Sequence, residues 1–139
     1  MAVPASLRKR VARRAKHRCE YCGLSKAGQA ATFHVDHIVP QVAGGESSLD
    51  NLALACVYCS LRKGARQTAR DPKSGRSARL FHPREHSWNH HFRWMDCRLN
   101  GITAIGRSTI GVLNLNSAEH LVIRVFEKRL GRHPPPGQL

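Results

Sequence analysis

Two Cys-x-x-Cys pairs, Cys19/Cys22 and Cys56/Cys59, stand 33 residues apart and constrain this chain more than any other feature. Four soft thiolates at knuckle spacing are what tetrahedral structural zinc takes, so the spacing predicts one four-cysteine Zn²⁺ site. A redox dithiol fits less well, because two pairs occur and no thioredoxin-like pattern surrounds either. Gly23 follows the first pair, where a knuckle turn needs a residue free to adopt positive φ. The segment between the pairs is therefore held at both ends by one ion. Cys97 stands apart and reads as a small core residue.

The bracketed segment reads as strand, strand, helix. Thr32 to Val39 is β-branched and aromatic, with Thr32, His34, Asp36 and Ile38 on one face and Phe33, Val35, His37 and Val39 on the other. Pro40 ends it, Gly44-Gly45 lies in the loop, and Asn51 to Ala55 is a short second strand. A helix is expected from Val57 to about Arg66. Upstream, Ser6 to Arg18 reads as a basic helix capped by Ser6, with a sparse apolar line at Leu7, Val11 and Ala15.

Downstream, Asp71-Pro72-Lys73-Ser74-Gly75 is a turn signal, and Glu85 to Phe92 a short helix. Asn100-Gly101 predicts the turn of a hairpin over Arg93 to Ala104. Arg107 to Leu115 and Ser117 to Leu130 read as helices, the second capped by Ser117 and Gly131 with an apolar stripe of Leu121, Val122, Val125 and Phe126. Residues 132–139 read as a flexible Pro-rich tail. The expected organisation is one α+β domain: a zinc-knuckle module over 1–70, an αβ extension over 71–131 packed on it, and the tail.

Twenty-three Lys+Arg against nine Asp+Glu give a formal charge of +14 and a pI near 10.8. Four thiolates and one Zn²⁺ lower that charge only by two, to +12. Self-repulsion on this scale anticipates a polyanionic partner. Nucleic acid is favoured over membrane, since no basic stretch carries a broad apolar face and no run approaches the roughly 18 apolar residues of a bilayer span. The first eighteen residues hold seven basic side chains and no apolar run of signal-peptide type. That points to a reducing cytoplasm, where paired cysteines bind metal. Arg10 and Arg14 on the first helix are candidate phosphate contacts. No protein partner is inferred.

Several pieces in fixed order then carry a resemblance: Cys19-x-x-Cys22, Val35-Asp36-His37-Ile38-Val39-Pro40, Gly44-Gly45, Asp50-Asn51-Leu52 and Cys56-x-x-Cys59-x-x-x-Lys63. Over roughly residues 8 to 66 the chain resembles the HNH endonuclease family in its zinc-bound form. From Asp71-Pro72 through Leu80-Phe81-His82-Pro83-Arg84, Trp88 and His91-Phe92 to Gly101-Ile102-Thr103 and Gly106-Arg107, it also resembles an extension found in a bacterial branch of that family. The resemblance implies a ββα-metal module that hydrolyses phosphodiesters in DNA. It makes His37 the general base, Asp36 a ligand of a catalytic Mg²⁺, Mn²⁺ or other divalent cation, and Asn51 the residue that positions the loop and thereby His37. Arg62, Lys63 and Arg66 would offset phosphate charge.

One position departs from the family. Ser60 stands where members place His or Asn as the second protein ligand of the catalytic cation, and a neutral hydroxyl is a poorer ligand. Either the cation is held by Asp36, water and phosphate, as Mg²⁺ often is, or His34, two residues away on the same strand face, contacts metal or phosphate. A catalytically weak or inactive zinc module that only binds nucleic acid is the alternative. In a regular strand Asp36 and His37 point to opposite faces, whereas a base and a metal ligand must converge on one phosphate. His86 and His90 share i, i+4 spacing, but no acidic partner is placed to orient them.

Overall fold

The computed structural model describes residues 3–139, which fall into two compact units divided between Ala65 and Arg66. The first is built on the order helix, strand, strand, helix. Helix α1 (Ala5–Arg14) begins after Pro4, so Ser6 sits inside the first turn rather than capping it. Pro4 suits the start because its missing N–H costs nothing there. The helix stops short of Arg18, because Lys16 and His17 both take positive φ (54° and 56°). They turn the chain into a bridge between Arg18 and Ser25. Only Val11 of α1 is fully buried, and its Lys9, Arg10 and Arg13 are exposed.

Strands β1 (His34–His37) and β2 (Leu52–Ala55) pair antiparallel, with His34 opposite Ala55 and Asp36 opposite Ala53. β2 is buried throughout, while β1 is buried on neither side of its central residues. Helix α2 (Val57–Lys63) follows, with Cys56 as its N-cap and Gly64 ending it at φ 51°. The loop between the strands packs tightly at Gly45, where a Cβ would lie 1.8 Å from the Val39 carbonyl oxygen. Only glycine fits so close an approach.

The second unit opens with a hairpin of β3 (Thr68–Arg70) and β4 (Ser77–Arg79) around the Asp71–Gly75 turn. The buried Asp71 carboxylate accepts from Lys73 N, from Ser74 Oγ at 2.8 Å, and from both Arg107 Nε (2.9 Å) and Nη2 (3.0 Å). A short helix α3 (Trp88–His91) leads into β5 (Phe92–Met95), which pairs with β6 (Arg98–Gly101). The turn between them is at Asp96-Cys97 and not at Asn100-Gly101. Asp96 takes the left-handed conformation (φ 57°) that short polar residues tolerate. Gly101 instead lies in the strand beside helix α4 (Ala104–Leu113), where a Cβ would meet Arg107 N at 2.6 Å. The glycine serves close packing rather than a turn.

Helix α5 (Ala118–Arg129) starts at the Ser117 cap, whose hydroxyl accepts from His120 N. Its buried face is not the apolar stripe. Val122, Val125 and Phe126 are exposed, while Ser117, His120, Arg124 and Glu127 are buried. Arg124 decides this orientation: its guanidinium donates to the Cys97 carbonyl at 3.2 Å and lies over the Trp94 ring at 4.8 Å. Ser117, Arg124 and Glu127 each find a hydrogen-bond or ion-pair partner on that face, so burying it leaves paired polar groups. The Pro-rich end is also not a free tail. Trp94 N donates to the Leu139 carbonyl at 2.8 Å, Trp94 Nε1 to the Gln138 side chain, and the His133 ring stands edge-on to the same indole. Among the described residues, no helix is long and apolar enough to cross a membrane.

Candidate active site and metal centre

The four cysteines come together at one point. Their sulfurs lie within 4.8 Å of one another, all buried, with Cys22 Sγ 3.7 Å from Cys56 Sγ. Each pair forms a knuckle of the same design. Cys22 N points at Cys19 Sγ (3.4 Å) and Cys59 N at Cys56 Sγ (3.5 Å), while Gly23, at φ 79°, returns its N–H to the Cys19 carbonyl. Burial pushes the Cys22 thiol up, the neighbouring thiols led by Cys19 push Cys59 up, and hydrogen bonds led by Cys19 hold Cys56 far down. Without a cation the cluster cannot carry four thiolates, and a bound Zn²⁺ would supply the missing charge. The donor set, burial and spacing all fit that ion. Glu20 fastens the first knuckle to β2, with Glu20 N donating to the Leu54 carbonyl and Leu54 N to Glu20 Oε2, both at 2.8 Å.

Beside this frame, Asp36 and His37 border one open cleft of about 340 Å³, together with Pro40, Gln41, Val42 and Ser60. Alternation along β1 does not keep them apart, since both border the cleft with Pro40, Gln41 and Val42 of the segment that follows the strand. Asp36 is the only acidic side chain in that lining. One carboxylate in an open cleft is a donor set that a hard divalent cation accepts when water completes its shell.

Asn51 holds the loop. Its Oδ1 accepts from Val39 N at 2.8 Å, and its Nδ2 donates to the Val39 carbonyl (3.0 Å) and to the Glu46 carbonyl (2.9 Å). Ile38 N adds a bond to the Asn51 carbonyl. Ser47, on the stretch so fixed, reaches His37 Nε2 at 2.8 Å. Sequence reasoning passed over Ser47. Its one signal is a polar Glu46-Ser47-Ser48 run after the glycine pair, and no spacing rule connects it to His37.

His34 is exposed, and its Nδ1 lies 2.9 Å from Ser60 Oγ across from β1 to α2. The residue at the departing position and the histidine are thus in direct contact.

The basic residues sort differently from the sequence expectation. Lys63 is 3% exposed and donates to the Ile38 carbonyl at 2.9 Å, so it anchors the end of β1 and faces no solvent phosphate. Burial lowers its pKa against the opposing pull of the Asp36 charge. Arg14 spends its guanidinium on the Leu49 and Leu52 carbonyls (2.7 and 2.6 Å), tying α1 to the entry of β2. The physical reason is common to both: a backbone carbonyl at a strand end needs a donor, and a long basic side chain reaches it. Arg10 is exposed on α1, Arg62 lies over the Tyr58 ring at 5.0 Å, and Arg66 belongs to the second unit and is exposed.

In the second unit, His82, His86 and His91 pack ring to ring beside Phe81, and His86 lies outside the short helix that was to pair it with His90. His82 N donates to His86 Nδ1, and His91 Nδ1 contacts Thr103 Oγ1. Among the described residues the four cysteines are the only close group of three or more metal-binding side chains.

The family model described as HNH endonuclease matches residues 19–66. No match was found among curated proteins, and none among solved structures.

Proposed function

Proceeding from an HNH endonuclease domain at residues 19–66, we propose that this protein is a metal-dependent DNA endonuclease in which His37 takes the proton of the attacking water. The observation that carries the reading is the shared cleft. Asp36 and His37 open into one space beside the zinc frame, and Asn51 pins the loop behind them. A module that merely bound nucleic acid would need neither a base nor a carboxylate there.

Water attacks phosphorus, the bond to the 3′ oxygen breaks, and the products are a 5′-phosphate and a 3′-hydroxyl. His37 suits the proton transfer because an imidazole titrates near neutrality. The Ser47 hydroxyl on Nε2 orients the ring. Asp36 would hold the divalent cation, which when bound supplies Lewis-acid stabilisation of the phosphate and leaving oxygen. The zinc held by the four cysteines is structural and keeps the β1–β2–α2 frame in shape. Arg10 and Arg62, with the rest of the +14 charge, draw in the phosphate backbone. The reduced cysteines suit a cytoplasmic setting.

Ser60 favours a second reading, a zinc module that binds nucleic acid without cutting it. Incubating supercoiled plasmid with Mg²⁺, Mn²⁺ or chelator separates the two. Wild type is expected to nick with metal and not with chelator, and His37→Ala to lose roughly 10²- to 10⁴-fold. Equal nicking by both proteins, or none by wild type under any metal, would refute the nuclease reading.

A further inference from the structure

We infer that His34, oriented through Nδ1 by the Ser60 hydroxyl, is the nitrogen ligand of the divalent cation held by Asp36, and that the site therefore favours first-row transition ions over Mg²⁺. The assignment rests on the reading of the cleft as a metal-dependent site.

β1 is a regular strand with unbroken pairing from His34 to His37. His34 and Asp36 therefore share a face, their Cα atoms about 6.6 Å apart at strand rise. The two side chains start from the same side of the strand, and His34 meets the cleft through Ser60, which lines it. Ser60 joins them from α2: it lines the same cleft as Asp36, and its Oγ lies 2.9 Å from His34 Nδ1.

A hydroxyl is a weak metal ligand but a good orienting partner for a ligand. With Nδ1–H donating to Ser60 Oγ, the Nε2 lone pair is free for a cation, the arrangement in which outer hydrogen bonds fix the tautomer of metal-bound histidines. His34 is exposed, so taking up this role costs little desolvation. An imidazole beside a carboxylate is a borderline donor set. It suits Mn²⁺, Co²⁺ or Ni²⁺ better than Mg²⁺, which prefers oxygen.

The test uses the zinc-loaded full chain with Mn²⁺ as probe, read by calorimetric titration and by pulsed electron paramagnetic resonance. Wild type is expected to bind one Mn²⁺ beyond the zinc, to show ¹⁴N modulation from a coordinated imidazole, and to bind Mn²⁺ at least about tenfold more tightly than Mg²⁺. His34→Ala and His34→Asn should each erase the modulation and weaken Mn²⁺ binding roughly 10- to 100-fold at unchanged zinc content, which reports an intact fold. Ser60→Ala should keep the modulation and weaken binding severalfold. His37→Ala should keep both. Modulation that survives in the two His34 variants, or is lost in His37→Ala, overturns the assignment, as does wild type without a second metal. Wild type that shows the modulation yet nicks no plasmid refutes the endonuclease reading and leaves the His34 assignment standing.

Discussion

The two units solve the problem of a small core in different ways. In the first unit the buried residues include the four cysteines, Tyr21, Leu24, Phe33 and all of β2, and among the described residues Lys63 is its one buried charged side chain. In Arg66–Leu139 the interior mixes Phe81, Phe92, Leu99 and Leu113 with Asp71, His82, Arg124 and Glu127. The first unit gathers four cysteines placed to bind one metal ion in its core. The second closes its own with hydrogen-bonded side chains, the Arg107–Asp71 and Arg132–Glu127 pairs among them. A metal clamp asks for four residues at fixed spacings and frees the rest of the surface for a site. A polar interior asks for many partners at once, and each partner removed leaves another buried and unpaired.

The largest effect expected from this contrast is at the clamp. Cys56→Ser, or prolonged chelation, should remove zinc binding worth on the order of 10 kcal/mol and unfold the first unit. Hydrogen exchange is the measurement: protection should vanish over residues 3–65 and outlast it over 66–139. Simultaneous loss in both would break the contrast.

Next comes the ion pair. Arg107→Ala should lower Tm by roughly ten degrees or more, because Asp71 stays buried without its fork of donors. Arg107 also holds the Asp71 carboxyl well below the usual carboxylate range. The sign follows: its contribution is complete above the unfolded value near 3.9 and is lost as pH falls through the lower folded value. Thermal scans should show a plateau above about pH 5 and a drop in acid, shallower in the variant.

Asn51→Ala removes three hydrogen bonds from the loop and should cost about 1–3 kcal/mol by denaturant titration. Nicking should fall with it, since Ser47 and its hold on His37 depend on that loop. Lys63→Met should destabilise the first unit by a similar or smaller amount and leave the salt slope of DNA binding unchanged. Arg10→Ala should do the reverse, with unchanged stability and a slope lower by about one. Smallest of all, Phe126→Ser on the exposed face of α5 should shift stability within about 0.5 kcal/mol, whereas the apolar-stripe expectation demands several times more.

The four-cysteine metal site, the β1–β2–α2 order, the Ser117 cap and the α+β class were legible in the sequence, because each rests on a short-range rule. Two Cys-x-x-Cys pairs need no tertiary knowledge to be recognised as one site, and alternation along His34 to His37 needs only strand geometry. The direction of a long side chain was not legible. Lys63 and Arg14 look on paper like phosphate contacts, and whether such a chain meets solvent or a carbonyl depends on which strand end lies within its reach. The Asn100-Gly101 turn failed for the same kind of reason: α4 packs on Gly101 and claims it, and Asp96 takes the turn. On α5 the moment of the apolar residues pointed one way and the Arg124 network the other.

By itself, then, the sequence determined the metal frame and the set of residues available to the cleft. Only the tertiary structure decided which of them meet. It brought Asp36 and His37 to one cleft, put Ser47 on His37, and set Ser60 against His34. The last two join residues 10 and 26 positions apart, and they follow from the loop that Asn51 closes and the helix that Cys56 starts, not from any local spacing.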